Sequence, residues 1–204
     1  MQKYHLPAKF FYLPNQWWQH KNHGLVIEAM ALLQNRGVRP AVVCTGTLKD
    51  ARNPDYVEGL IQALSLKNIR EQMFVLGTVP RPEVFSFMRQ SICVLNPTRF
   101  EGHGLSLAEA HALGKRVLLS DLPVLREQQV PNAAYFNPED PQDLADKMEA
   151  IWNSASAGPD VEAENTARAE WAIRQQAFGR AFLDLAREAM ASGCGDTGST
   201  RRVV

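Results

Sequence analysis

A strand–helix alternation repeated about six times most restricts what this chain can fold into. Residues 9–13, 40–45, 73–76, 92–96, 116–120 and 134–136 are short apolar runs that read as strands. Between them, residues 20–34, 54–66, 82–90, 105–113 and 141–152 carry apolar positions at helical spacing or helix start and stop signals. In 20–34, Leu25, Ile27, Ala29, Met30, Leu32 and Leu33 supply the apolar positions, and Gly37 ends the pattern. Such alternation predicts a parallel sheet with helices on both faces. The runs VVC and VLLS are apolar throughout, as expected of strands covered on both sides. The expected fold class is α/β: a Rossmann-like, doubly wound parallel sheet of about six strands, plus a long C-terminal helix. In that architecture ligands bind outside the carboxyl ends of the strands.

Three segments follow from the pattern. Residues 1–153 form the Rossmann-like domain. Residues 154–191 hold a linker, within the Ser/Ala/Gly/Pro-rich NSASAGPD at 153–160, and a helix over 161–191. That helix bears an apolar stripe of Trp171, Phe178, Phe182 and Leu185, and packs on the domain or on a second domain outside the chain. Residues 192–204 (SGCGDTGSTRRVV) read as a disordered tail. No internal repeat is evident.

Composition removes several function classes. Of 204 residues, 45% are apolar, enough for one sizeable core. Lys and Arg balance Asp and Glu at 22 each, so no nucleic-acid partner is expected. Cys44 and Cys93 sit in apolar strands and read as small buried hydrophobes. With Cys194 the count is odd and no CxxC occurs, so a reducing, cytoplasmic setting is expected. No run approaches the roughly 20 apolar residues that span a bilayer, and the N-terminus lacks signal-peptide character. Any membrane contact is then peripheral, at the inner face.

The strongest chemical signal is NPTRFEGHGLSLAEA, residues 96–110. It joins a strand end to a helix start, where free backbone N–H groups and the helix dipole favour a phosphate. Gly102 and Gly104 let the backbone approach a ligand closely. Glu109 lies just over one turn into the helix and leans back toward the same mouth as Glu101. Two carboxylates beside an anion cradle point to sugar hydroxyls as their partners. A bare Gly-x-Gly would more often be an ordinary turn; this string is longer and sits at a strand–helix junction.

Two further loops end on the same side of the sheet. LPNQWWQHKNH, residues 13–23, places Lys21 where an ammonium can neutralise a diphosphate, although a lone lysine there is more often solvated. Trp17 and Trp18 read as a hydrophobic cover or an interface patch. The i, i+3 pair His20 and His23 has no acidic or Cys partner nearby, so no metal is expected. LGTVPRPE, residues 76–83, offers backbone groups to a base edge and Arg81 to a phosphate, or is an ordinary connection. Ser106 lacks a nucleophile elbow, no G-x-G-x-x-G follows the first strand, and no Walker sequence occurs.

Together these residues resemble the C-terminal, donor-binding domain of family 4 glycosyltransferases, retaining enzymes of the GT-B fold. The resemblance spans residues 10–152. Its most specific element is E-x7-E, here Glu101 and Glu109 within FEGHGLSLAEAHALGKRVLLSD, where the family reads like EGFGLPxLEAMAxGxPVxxS. It implies that Glu109 binds the ribose hydroxyls and that Glu101 contacts the donor sugar near the reacting centre. Backbone groups of Gly102, His103, Gly104 and Leu105 would hold the diphosphate and sugar. Lys21 would stabilise the departing diphosphate, and the GTVPRPEV loop would correspond to the segment that meets the base, with Val79 and Arg81 as the candidates.

One departure stands out. The family commonly has an arginine six residues before the lysine; here that position is Asn15, followed by Gln16. Both can donate hydrogen bonds to a diphosphate but add no charge. The resemblance also implies an N-terminal domain that supplies the acceptor and part of the machinery. This chain begins near the C-terminal domain's first strand, so that domain is expected outside it, and the chain alone is expected to be inactive. The implied reaction moves a sugar, with retention, from a nucleoside-diphosphate sugar to a glycan or lipid-linked acceptor, without metal or other cofactor. Bacterial surface polysaccharide is the destination suggested by analogy. The alternative is a non-catalytic module binding nucleotide or a partner; a nucleotide-sugar epimerase has weaker support, since its catalytic acids have no counterparts.

Overall fold

A computed structural model describes residues 2–193. Six strands form one parallel sheet: β1 (Phe11–Leu13), β2 (Val42–Cys44), β3 (Met73–Val75), β4 (Cys93–Asn96), β5 (Val117–Ser120) and β6 (Ala133–Phe136). Their spatial order is β3-β2-β1-β4-β5-β6. Phe11 is in register with Val42 on one side and Cys93 on the other. The chain winds outward from β1 to β3, returns beside β1 as β4, and winds the other way to β6. The reversal between β1 and β4 is the switch point at which doubly wound folds open a crevice.

Among the described residues seven α-helices alternate with or follow these strands: α1 (His23–Asn35), α2 (Tyr56–Leu66), α3 (Arg81–Gln90), α4 (Leu105–Ala112), α5 (Pro123–Arg126), α6 (Pro141–Ser154) and α7 (Val161–Gly193). Successive strand residues point to opposite faces, and both faces are covered. Phe11, Leu13, Val42, Cys44 and Leu95 pack with α1, α2 and α6. Phe10, Tyr12, Val43, Val94 and Leu119 pack with Phe87 and Met88 of α3, Leu107 and Ala110 of α4 and Leu125 of α5. Each fully buried Leu or Phe contributes about 1.5–3 kcal/mol. Cys44 and Cys93 are buried free thiols within these layers, and burial pushes the Cys93 thiol up to about 12.

Several boundaries differ from the sequence pattern for identifiable reasons. A helix is expected from residue 20, but α1 begins at His23, because Asn22 adopts the left-handed conformation at φ 58°. Asn tolerates that region. Its side chain is fixed there by donating to the Pro138 carbonyl at 2.9 Å. Lys21 therefore ends a separate 3₁₀ turn, Gln19–Lys21, outside the helix. The four-residue α5 is too short to show a helical period. Trp17, read as a cover or interface patch, is a wholly buried core residue stacked on His23 at 4.6 Å between ring centroids.

The first half of α7 docks on this domain. A Cβ at Gly114, φ +62°, would lie 2.3 Å from the Ala163 carbonyl oxygen, so the helix runs against bare backbone there. Arg89 Nε bonds Glu164 Oε1 at 2.7 Å, and Arg174 meets His111 Nδ1 at 3.1 Å. Beyond that contact, Phe178, Phe182 and Leu185 of the stripe are exposed. The helix includes Ser192 and Gly193, where a tail was expected; residues 194–204, with Cys194, lie outside the described residues.

Candidate functional site

The loops after β1, β2, β3 and β4 converge on one cleft of about 530 Å³ at the carboxyl edge of the sheet. Its wall includes every residue expected to bind the donor: Asn15, Gln16 and Lys21 after β1; Val79 and Arg81 after β3; Glu101, Gly102, His103, Gly104, Leu105 and Glu109 at the β4–α4 junction. A larger hollow of about 620 Å³ lies elsewhere, among Ser91, Lys115 and the 154–161 connection, and shares none of them.

The β1–α1 loop is brought close by a glycine contact. A Cβ at Gly46, φ +126°, would stand 2.4 Å from the Asn15 carbonyl oxygen. Trp17 N donates to the Thr47 carbonyl at 3.1 Å, and Thr47 N donates to Gln16 Oε1 at 2.5 Å. Asp50, buried below, accepts from Gln19 N at 2.9 Å and Arg52 N at 3.1 Å; these backbone bonds, the Gln19 one foremost, hold its carboxyl below the usual range. The next 3₁₀ turn is tied to the β4–α4 loop, since Arg99 N and Thr98 Oγ1 both lie within bonding distance of the His20 carbonyl, 2.8 and 3.2 Å. Burial, then the neighbouring Lys21 and Arg52 charges, lowers the pKa of His20.

That tie brings Lys21 onto Glu101: Nζ donates to Oε2 at 2.6 Å, with both side chains 14% exposed. On the opposite wall Arg81, at the start of α3, pairs with Glu109 of α4. Gly104, φ +75°, turns the chain into α4, and no side chain caps the helix there. The α4 N-terminus thus faces the cleft beside both carboxylates. Gln128 Nε2 fastens the loop by donating to the His103 carbonyl.

Asn15 lies in the cleft wall. It is buried, and its Nδ2 donates to Asn96 Oδ1 at 3.1 Å across the switch point. Gln16 faces the cleft, with its amide oxygen engaged by Thr47 N. His20 and His23 do not converge: His23 is wholly buried, where desolvation lowers its pKa to about 3. Among the described residues no group of three or more His, Cys, Asp and Glu side chains is placed to hold a metal ion. No helix among them is long and apolar enough to cross a membrane.

The wall also contains Thr45, Gly46 and Thr78, which the sequence did not point to, Trp18, which it read as a cover or interface patch, and Ser106, which it named only as lacking a nucleophile elbow. Thr45 and Gly46 follow β2 as Gly77 and Thr78 follow β3, so position after a strand was the available signal. Thr45 Oγ1 shares a 2.7 Å hydrogen bond with the buried Tyr12 hydroxyl.

Comparison with known proteins bears on the family and the fold. Residues 5–168 match the family described as glycosyl transferases group 1. The O-antigen chain mannosyltransferase RfbU of Salmonella typhimurium (strain LT2) is 27% identical over 139 residues, covering 68% of this chain and 35% of RfbU. Sucrose-phosphate synthase from Thermosynechococcus elongatus shares the fold at TM-score 0.73 and 17% identity, over 94% of this chain and 48% of that one. Anabaena Alr3699/HepE, solved in complex with UDP, does so at TM-score 0.66 and 19% identity, over 91% and 49%. The chain thus spans about a third of the curated relative's length and about half of each structural neighbour.

Proposed function

This chain belongs to the glycosyl transferases group 1, and from that premise we propose that it is the donor-binding half of a retaining sugar transferase of the GT-B type. The observation that carries the reading is the facing of Lys21 and the α4 N-terminus by Glu101 and Glu109 in one cleft. A nucleoside-diphosphate sugar needs those two kinds of group, cationic for its phosphates and anionic for its hydroxyls. HepE, a neighbour in fold, was solved with UDP. Glu109 takes the ribose hydroxyls and Glu101 the donor sugar. Backbone groups from Gly102 to Leu105 face the diphosphate, with Gln16 beside them. Val79 and Arg81 border the base.

When the bond from the sugar's anomeric carbon to the diphosphate breaks, the electron pair stays on the departing oxygen. Lys21 and the α4 N-terminus are fixed where that charge grows, which is where preorganised groups lower a barrier most. Glu101 and Glu109 position the donor, and neither needs to act as a nucleophile.

The acceptor and the rest of the machinery are assigned to a second domain, and this chain alone to donor binding. The exposed stripe of Phe178, Phe182 and Leu185 supports a partner surface at that end of α7. A glycan or lipid-linked acceptor at the inner face of a membrane fits RfbU's role in the O-antigen chain. Calorimetric titration with UDP, GDP and ADP tests the reading: one should bind saturably, and Glu109→Ala should weaken it. Binding of none refutes it. The second reading, a non-catalytic module, is favoured by Asn15, whose buried amide brings no charge to the diphosphate. It gains ground if a chain extended by its second domain binds nucleotide sugar but transfers nothing.

A further inference from the structure

Each cation at the head of the cleft is matched by a carboxylate within it. Lys21 Nζ lies 2.6 Å from Glu101 Oε2, and Arg81 bonds Glu109. The four formal charges cancel. An incoming phosphate therefore meets a neutral Lys21–Glu101 pair and not a free ammonium. Any oxygen that approaches Lys21 also approaches Glu101, because both side chains are confined, each 14% exposed, and joined by a direct bond. Like charges a few ångströms apart in such a half-buried place repel far more than in water.

The two ligands of this site differ in charge at that point. In a bare nucleoside diphosphate the terminal phosphate has two ionisable oxygens, and its second ionisation, near pH 6 as in a phosphate monoester, leaves it close to two negative charges at neutral pH. In the sugar-bearing donor the same phosphate is esterified and carries one. The sugar also brings hydroxyls, which donate to a carboxylate and accept from an ammonium. Glu101 is thus a penalty for the bare diphosphate and a partner for the sugar.

Resting on the donor-site reading above, we propose that Glu101, through its bond to Lys21, is a specificity-determining residue that makes the cleft prefer the sugar-bearing nucleotide over the bare nucleoside diphosphate. After transfer the terminal phosphate regains its second charge beside Glu101, and the cleft favours release of the spent nucleotide. Arg81 and Glu109 do not provide this discrimination, because the base and ribose are the same in both ligands.

The test is calorimetry at neutral pH on this chain and on Glu101→Gln, which keeps the shape and removes the charge. Probes are taken in pairs: UDP with UDP-glucose, GDP with GDP-mannose, ADP with ADP-glucose. For the pair that the wild type binds, the ratio of the diphosphate Kd to the nucleotide-sugar Kd should fall about tenfold in Glu101→Gln, chiefly because the diphosphate binds tighter. Glu101→Ala, which also removes the charge, should tighten the diphosphate and weaken the nucleotide sugar. An unchanged ratio in Glu101→Gln, or weaker diphosphate binding in both variants at unaltered melting temperature, overturns the proposal. If the wild type binds none of the six probes, the donor-site reading itself fails and this inference falls with it.

Discussion

Lys21 Nζ and Glu101 Oε2 meet at 2.6 Å although they lie 80 residues apart, one on a 3₁₀ turn after β1 and the other in the loop after β4. The left-handed Asn22 excludes Lys21 from α1, and the bond from Arg99 N to the His20 carbonyl draws the two loops together. Lys21→Ala should weaken nucleoside-diphosphate binding by about ten- to a hundredfold, the worth of a charge-assisted hydrogen bond. It should also lower stability by about 1–3 kcal/mol, because Glu101 loses its partner in a confined place. Calorimetry and denaturant titration separate the two effects, and unchanged nucleotide affinity would sink the phosphate role.

Glu109 makes a different prediction. Glu109→Gln should cost about 1–3 kcal/mol of nucleotide binding if its carboxylate takes ribose hydroxyls. A 2′,3′-dideoxy nucleotide removes those hydroxyls, so wild type and variant should bind the analogue equally. A loss of the same size with the analogue would assign Glu109 to holding Arg81, its ion-pair partner, and not to the ribose.

The E-x7-E spacing and the unbroken apolar strands made the cleft's carboxylates and the sheet legible, because both depend on local sequence. What was hidden depends on three dimensions. Trp17 looks like Trp18 in sequence, yet one is core and the other rim. Nothing in the sequence joined Asn15 to Asn96, yet its amide donates to Asn96 Oδ1 across the switch point. The ion pairs could not be read either, since their members are brought together by the sheet order and by turns such as that at Asn22. The four residues of α5 carry too little pattern to register.

Gly46 tests the packing that forms the site. Its φ of +126° is strained for any L side chain, and a Cβ would press on the Asn15 carbonyl at 2.4 Å. Gly46→Ala should destabilise the domain by about 1–3 kcal/mol through backbone strain and displace the β1–α1 loop that carries Lys21. Melting temperature should fall, and nucleotide affinity should fall at temperatures where the domain remains folded. An alanine variant with wild-type melting behaviour would show that the two loops do not pack this closely.

His23 links the same loop to pH. It is wholly buried against Trp17, and desolvation lowers its pKa to about 3 from an ordinary value of 6.5. The unfolded chain therefore binds this proton more readily than the folded one. His23's contribution is fully present above pH 6.5 and is lost progressively as pH falls from 6.5 toward 3. Within that window one differential proton costs about 1.4 kcal/mol per pH unit. His23→Phe keeps a stacking ring without the titrating nitrogen. Urea denaturation at pH 7, 6 and 5 should show wild-type stability falling relative to His23→Phe by an amount approaching that slope below pH 6. Parallel stability profiles for the two proteins would mean that His23 takes up its proton in the folded state, and that water reaches it beneath the Lys21 turn.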